Sequence, residues 1–350
     1  MAAASRRRDA TTMRIEALDV DDDAAVRELA GLRRAQLAHD EPDHPGADPE
    51  VLAAFLRSPR PGNDFHHWLV RADDRVVGYA ELMLPQTENR TSAQLEGYVH
   101  PEYRRGGIGT ALFRHCAAQA VAEKRTRISA HATGHATGGK FTRTEPGVSF
   151  LSAMGLTRVL DEIRSGLDLA TVDDEALARL DSEAWAKAAR YELLTWIDRA
   201  PDGLAEGIAY LEGRMGTDVP TGGLDIEPQR FDVARWRAVE DMSVKRQRTT
   251  YYAAARHADT GEVAAWTGVV VPKRPRSVGH QTTTIVDPAH RGRRLGTVVK
   301  LGNLARLRAD EPELRSIETY NSVHNAHIIA INEAMGFVVH DLAAHFQGDL

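Results

Sequence analysis

The chain contains a single cysteine, Cys116, in 350 residues. That excludes an intrachain disulfide and a zinc cluster built from cysteines alone. No apolar run approaches the roughly 20 residues needed to span a bilayer. Positive charge is not in surplus: 44 Lys+Arg stand against 50 Asp+Glu, a formal net charge of -6, which argues against a dedicated nucleic-acid binder. Arg6-Arg7-Arg8 near the start is not followed by an apolar segment, so residues 1–12 read as a disordered lead-in, not as a secretory signal. The common phosphate signatures GxxxxGK[ST] and GxGxxG are also missing. These absences point to a cytoplasmic protein with no membrane, nucleic-acid or metal partner; a monomer or homodimer is expected, though no feature of the sequence fixes the oligomeric state.

The chain is about twice the usual length of one domain, and its 42% hydrophobic content is enough for cores of ordinary size. An internal repeat explains the length. Val99, Pro101, Arg104, Gly109 and Thr110 match Val286, Pro288, Arg291, Gly296 and Thr297, all at an offset of 187 residues. The surroundings repeat as well. His67–Val70 and Val76–Leu84 predict a hairpin before the first segment, and Tyr251–Arg256 and Val263–Val271 one before the second. Leu112, Phe113, Cys116, Ala117, Ala120 and Val121 recur at helical spacing after the first segment, as do Val298, Val299, Leu301, Leu304 and Leu307 after the second. Strands at Thr126–Ala132 and Ser316–Tyr320 follow, then short helices closed by Gly155 and Gly336. Met13–Leu18 and Tyr191–Trp196 read as the opening strands. The expected organisation is two α/β (α+β) domains, residues 13–168 and 191–350, joined by a helical connector over 169–190.

A strand that runs into a glycine-containing turn and then a helix presents free backbone N–H groups to an anion, and glycines let that anion approach. Arg104, Arg105, Arg291, Arg293 and Arg294 add positive charge there. A tight turn with solvated arginines is the alternative, and it is weaker for two copies than for one. Arg104-Arg105-Gly106-Gly107-Ile108-Gly109 resembles the acyl-CoA pyrophosphate loop of the GNAT N-acetyltransferase superfamily, [RQ]-x-x-G-x-[GA]. Val99-x-Pro101-x-x-Arg104 before it is similar to the same family, as is Asn325 to Phe337 near the end and, more faintly, Phe150 to Leu156. The resemblance extends over both halves.

The resemblance implies two mixed, mostly antiparallel sheets that splay between their fourth and fifth strands, with the pantetheine of acetyl-CoA pairing along the open fourth strand. Here those edges are Leu95–Val99 and Thr283–Val286. Pyrophosphate is then expected on the backbone of Arg105, Gly106, Gly107, Ile108, Gly109 and Thr110, with Val99 and Arg104 alongside. In the second half the corresponding set is Arg293, Arg294, Leu295, Gly296 and Thr297, with Ile285, Val286 and Arg291 before it and Asn325 and Asn332 on the last helix. Acetyl would pass directly to an amine while backbone N–H groups steady the oxyanion.

Two departures stand out. Arg294 replaces the first glycine of the second loop, where it would crowd the pyrophosphate or bind it. The tyrosine that serves many members as general acid is replaced by Asn332 and Leu151. Glu96 on the predicted fourth strand is the expected base, with a pKa raised by partial desolvation; an ion-paired or substrate-orienting role also fits it. Tyr98 is a further proton donor or a packed strand residue. Gln281 and Thr283, the matching positions of the second half, are poor bases, so catalysis is expected in the first half. His131 to Gly139, which repeats His-Ala-Thr-Gly, reads as a substrate-facing loop. The sequence therefore predicts an acetyl-CoA-dependent N-acetyltransferase acting on a small-molecule amine. A protein or peptide amine, or a catalytically silent acyl-CoA-binding regulatory protein, are the competing readings.

Overall fold

The computed structural model describes residues 13–41, 46–137, 140–141, 145–218 and 220–350. The predicted lead-in over 1–12 and the Pro- and His-containing segment 42–45 lie outside the described residues. The first half runs β1 (Met13–Ala17), α1 (Asp23–Asp40), α2 (Pro49–Leu56), β2 (Asn63–Ala72), β3 (Arg75–Pro85), β4 (Ser92–Val99), α3 (Ile108–Ala122), β5 (Arg127–Thr137), β6 (Lys140–Phe141), α4 (Pro146–Ala153) and β7 (Thr157–Asp168). The connector is α5 (Asp174–Trp185). The second half runs β8 (Tyr191–Ile197), α6 (Asp202–Gly213), α7 (Met215–Asp218), α8 (Val233–Lys245), β9 (Arg248–His257), β10 (Val263–Pro272), β11 (Val278–Val286), α9 (Leu295–Asp310), β12 (Ser316–Ser322), α10 (Ala326–Met335) and β13 (Val338–Asp349).

The helical spacing seen in the sequence becomes one buried stripe on α3, formed by Ile108, Leu112, Cys116 and Ala120, which packs on the β3–β4 face. Leu295, Val298 and Val299 of α9 do the same against the alanines of β9 and β10. Burial pushes the Cys116 thiol up to about 12, so it packs as an apolar group and not as a nucleophile.

The two halves share one sheet, in the order β1-β2-β3-β4-β5-β13-β7-β12-β11-β10-β9-β8. The last strand of each half crosses to the other. β13 lies antiparallel against β5 of the first half, and β7 lies antiparallel against β12 of the second. β7 and β13 then pair with each other. Arg164 of β7 fastens the crossing, with Nη2 donating to Asp341 of β13 at 2.5 Å and Nη1 to Glu318 of β12 at 2.9 Å.

The parallel pairs within each half are short. β4 meets β5 only from Ser92 to Leu95, and β11 meets β12 only from Val278 to His280. Beyond those points Glu96–Val99 and Gln281–Val286 have no strand partner on that side among the described residues, so the sheet splays twice. Residues 131–137 continue β5, so the expected His-Ala-Thr-Gly loop is strand as far as Thr137; its last two residues lie outside the described ones.

Candidate active site

Each splay leads into the same turn. A single 3-10 turn, Pro101–Tyr103 or Pro288–His290, follows the strand and is capped by the side chain of His100 or Asp287. The next residue is the arginine of the motif. Arg104 Nε donates to the Val99 carbonyl at 3.1 Å, and its two terminal nitrogens grip Asp40 at 2.7 and 2.6 Å. Arg291 repeats this with Val286 O at 3.4 Å and Asp218 at 3.0 Å. Although burial works against it, hydrogen bonds led by Arg104 hold the Asp40 carboxyl down at about 2. Both guanidinium groups are therefore engaged in fastening the turn to a helix end, and a bound anion would meet backbone more than these side chains.

That backbone has the same shape twice. Arg105 (φ 64) and Gly107 (φ 86) are left-handed in the first turn, and Gly292 (φ 79) and Arg294 (φ 57) in the second. Each turn thus holds one glycine and one arginine at its two left-handed positions, in opposite order. The loss of the family glycine at 294 is matched by a gain at 292, and the loop geometry survives. A side chain at Gly107 or Gly292 would meet open space, not protein, on the side where a ligand can approach.

The helices that follow begin without a side-chain cap. α1, α2, α5, α8 and α10 are capped by Asp or Asn, whereas α3 and α9 follow Gly107 and Arg294, neither of which supplies an acceptor; α4 and α6 also begin without a side-chain cap. Open N–H groups at a helix start suit a diphosphate. The residues present fit that group in both halves.

The first-half splay carries a compact polar cluster. Glu81 of β3 lies directly across from Glu96 of β4, Tyr79 from Tyr98, and His67 of β2 from Glu81. The Tyr79 hydroxyl donates to Glu81 Oε2 at 3.2 Å, and His67 Nδ1 lies 2.9 Å from that hydroxyl. Glu96 is exposed, whereas Glu81 is 8% exposed. Burial, reinforced by the charge of Glu96, lifts the Glu81 carboxyl to about 7, against the opposing pull of the Tyr79 hydroxyl and Arg246. Burial also drives His67 down to about 4, so it is neutral at pH 7. The Tyr98 phenol is pushed up by burial while the Arg33 guanidinium lies 5.0 Å over its ring. The desolvated carboxylate of this site is thus Glu81, one strand away from Glu96. A signal for it exists in Tyr79-x-Glu81, a polar period of two inside an apolar strand that places both side chains on the face of Glu96. The exchanged β13 adds His345, which faces His131 with ring centres 5.6 Å apart and bonds Glu162 at 2.8 Å.

The second-half splay has another lining. At the 187-residue offset Trp266 replaces Tyr79, Gly268 replaces Glu81, Thr283 replaces Glu96 and Ile285 replaces Tyr98. Trp266 and Ile285 join Trp196, Trp236 and Tyr252 in an apolar cluster under α6 and α8. A carboxylate reaches this edge from a helix. Glu212 of α6 accepts from Thr283 at 3.5 Å and is raised above the usual range by burial. Asn325 caps α10 through the Ile328 amide at 3.4 Å. Asn332 is buried and donates to Asn321 at 2.8 Å, and its own Oδ1 has no partner among the described residues. Among the described residues there is no His/Cys/Asp/Glu cluster suited to a metal, and no helix is long and apolar enough to cross a membrane.

One sheet that splays twice, each time beside a glycine-bearing turn that starts a helix, defines the fold. Comparison with known proteins shows what that fold resembles. Residues 29–137 match the acetyltransferase (GNAT) family. The chain is 28% identical over 321 residues to a mycothiol acetyltransferase of Salinispora arenicola, covering 89% of this chain and 91% of that one. It is 25% identical over 346 residues to the mycothiol acetyltransferase of Salinispora tropica, covering 96% and 95%. Among solved structures, a tandem GNAT protein from the clavulanic acid biosynthesis pathway superposes with a TM-score of 0.81 at 28% identity, over 97% of this chain and 98% of that one. A GCN5-related N-acetyltransferase from Sphaerobacter thermophilus shares the fold at a TM-score of 0.61 and 16% identity, over 96% and 95%. Residues 29–137 thus match the GNAT acetyltransferases, and over nearly its whole length the chain is similar to tandem GNAT proteins.

Proposed function

We propose that the protein transfers an acetyl group from acetyl-CoA to a primary amine of a small molecule, and that the first half carries the chemistry. The observation that carries this reading is the Glu81–Glu96 pair at the unpaired edge of β4, with one carboxyl exposed and the other titrating near neutrality. The second half offers tryptophan, glycine, threonine and isoleucine at the same positions. Support for the co-substrate comes from the uncapped turn: the backbone of Arg105 to Thr110 would hold the pyrophosphate, and Glu96 to Val99 would pair with the pantetheine. The relatives named mycothiol acetyltransferase favour a small-molecule acceptor over a protein.

Acetyl-CoA supplies the activated thioester, and the protein's residues manage protons and position. An amine arrives as its ammonium form and must lose a proton before it can attack. Exposed Glu96 attracts the ammonium, and Glu81 takes the proton, because a base near 7 is both available and strong enough at neutral pH. Tyr79 orients the carboxylate. Neutral His67 stands behind Tyr79 and lines a cavity of about 520 Å³ between β2, the end of β1 and the end of α2, which gives the proton a route to solvent. Tyr98, kept protonated by burial, is the group offered to the leaving thiolate.

A thiol-release assay with acetyl-CoA over a panel of small amines, with a lysine peptide as the protein-like arm, tests this reading. Turnover with a small amine that collapses in Glu81→Gln supports it. CoA binding without turnover of any acceptor sinks it in favour of a silent acyl-CoA module.

A further inference from the structure

Only six of the 44 basic side chains in this sequence are lysines. Lys124, Lys187, Lys245 and Lys273 are exposed, while Lys300 is 3% exposed. Lys300 stands on α9, one turn beyond the second anion turn, where the first half has Phe113 in an apolar contact with Phe150. Its Nζ donates to Gln281 Oε1 at 2.9 Å and lies 5.0 Å from the ring centre of Phe337. Gln281 is the first residue of β11 beyond its last pair with β12, His280 with Glu318. Its amide nitrogen is anchored on Thr267 Oγ1 at 2.8 Å and the Gly268 carbonyl at 2.7 Å, which turns Oε1 toward the lysine. The amine is thus held at the apex of the second splay, between α9, β11 and the turn after α10.

We propose that Lys300 is a self-acylation site that takes the acyl group of an acyl-CoA thioester held in the second splay. The inference rests on the reading above that the two turns bind acyl-CoA. A surface lysine is a poor nucleophile at neutral pH because its lone pair is protonated; burial removes that obstacle. Burial alone brings Lys300 down to about 7, with no charged group contributing to the shift. In the step, the Nζ lone pair forms the bond to the acyl carbon, the carbon–sulfur bond breaks, and CoA leaves as thiolate and takes the proton that Nζ gives up. The product is a neutral amide. It leaves the buried site uncharged, cannot pass its acyl group on by the same route, and lies at the apex of the splay that a second thioester would have to reach. The second half is loaded once and then closed.

The test uses the full chain incubated with acetyl-CoA, followed by intact mass and peptide mapping, with calorimetric titration of CoA in parallel. The expected result is one acetyl group per chain, located on Lys300 ahead of the four exposed lysines. Excess CoA should suppress it, and Lys300→Met should abolish it. Two bound CoA molecules with no acetyl on Lys300, or acetylation spread evenly over the exposed lysines, overturns this inference alone. Binding of one CoA, without acetyl on Lys300, overturns it and leaves the first-half reading intact. No CoA binding anywhere removes the reading of the turns and this inference together.

Discussion

Glu81→Gln separates a catalytic carboxyl from a structural one, because the two roles predict opposite signs. Glu81 titrates near 7 in the folded protein against an ordinary 4.5. At about 1.36 kcal/mol per pH unit, the charged form costs the fold roughly 3 kcal/mol once the pH is above the folded value. The sign follows from the raised folded pKa. Native protein binds the extra proton between about 4.5 and 7, so the contribution of Glu81 to stability is intact below 4.5 and is lost as the pH rises through 7. The groups that face it are Tyr79 on its own strand, Glu96 and Tyr98 on β4, His67 on β2 and Arg246 after α8. Glutamine keeps the shape and still accepts the Tyr79 hydroxyl, but it never ionises. The variant should therefore melt higher than the wild type at pH 8, by about 3 kcal/mol in unfolding free energy, and the gap should close toward pH 5. Activity should move the other way, with kcat/KM falling about 10²–10⁴-fold and the wild-type rise in kcat/KM near pH 7 disappearing. Denaturant unfolding at pH 5 and 8, combined with a pH–rate profile, reads both. A variant destabilised at pH 8, or one that keeps the wild-type pH profile, refutes the assignment.

Gly107→Val puts a β-branched side chain at φ 86; it should cost about 1–2 kcal/mol, and titration of CoA should show one site fewer than in the wild type. Asp40→Ala frees the Arg104 clamp. A loss of about 1 kcal/mol is expected at pH 7, and because Asp40 sits at about 2 in the fold against an ordinary 3.8, the difference from wild type should persist above 3.8 and vanish as the pH falls through 2. Arg164→Met leaves Asp341 and Glu318 without their shared cation and should destabilise the fold by about 3–5 kcal/mol, measured by urea unfolding. Residues 1–190 expressed alone lack β13 and so expose the whole edge of β5. They should self-associate unless 191–350 is supplied, and light scattering that shows a stable monomer would count against the exchange.

The repeat was legible because its anchors are local. A proline that starts a 3-10 turn, an arginine that reaches back to the strand it follows, and a left-handed position each act within six residues, so an offset of 187 exposes them without any tertiary knowledge. The periodic apolar face of α3 was legible for the same reason. What stayed hidden depends on partners far along the chain. β7 and β13 carry too irregular an alternation to announce themselves, and nothing in either segment says that it pairs with the opposite half. Glu81 was masked by the apolar run around it, since its environment is set by a neighbouring strand and by Arg246 from the other half. Arg104 shows the converse: beside a glycine turn it reads as charge for a phosphate, whereas Asp40, which lies 64 residues earlier, engages both terminal nitrogens of its guanidinium.

The duplication preserved the shape of the turn, because exchanging glycine and arginine between two left-handed positions keeps the backbone while changing the side chains. It did not preserve the acceptor face, where Tyr79 and Glu81 meet Trp266 and Gly268. Two turns of one shape thus stand above two faces of opposite polarity. The exchanged strands then bind that inequality into one fold, since β13, which belongs to the apolar half, supplies His345 to the polar one.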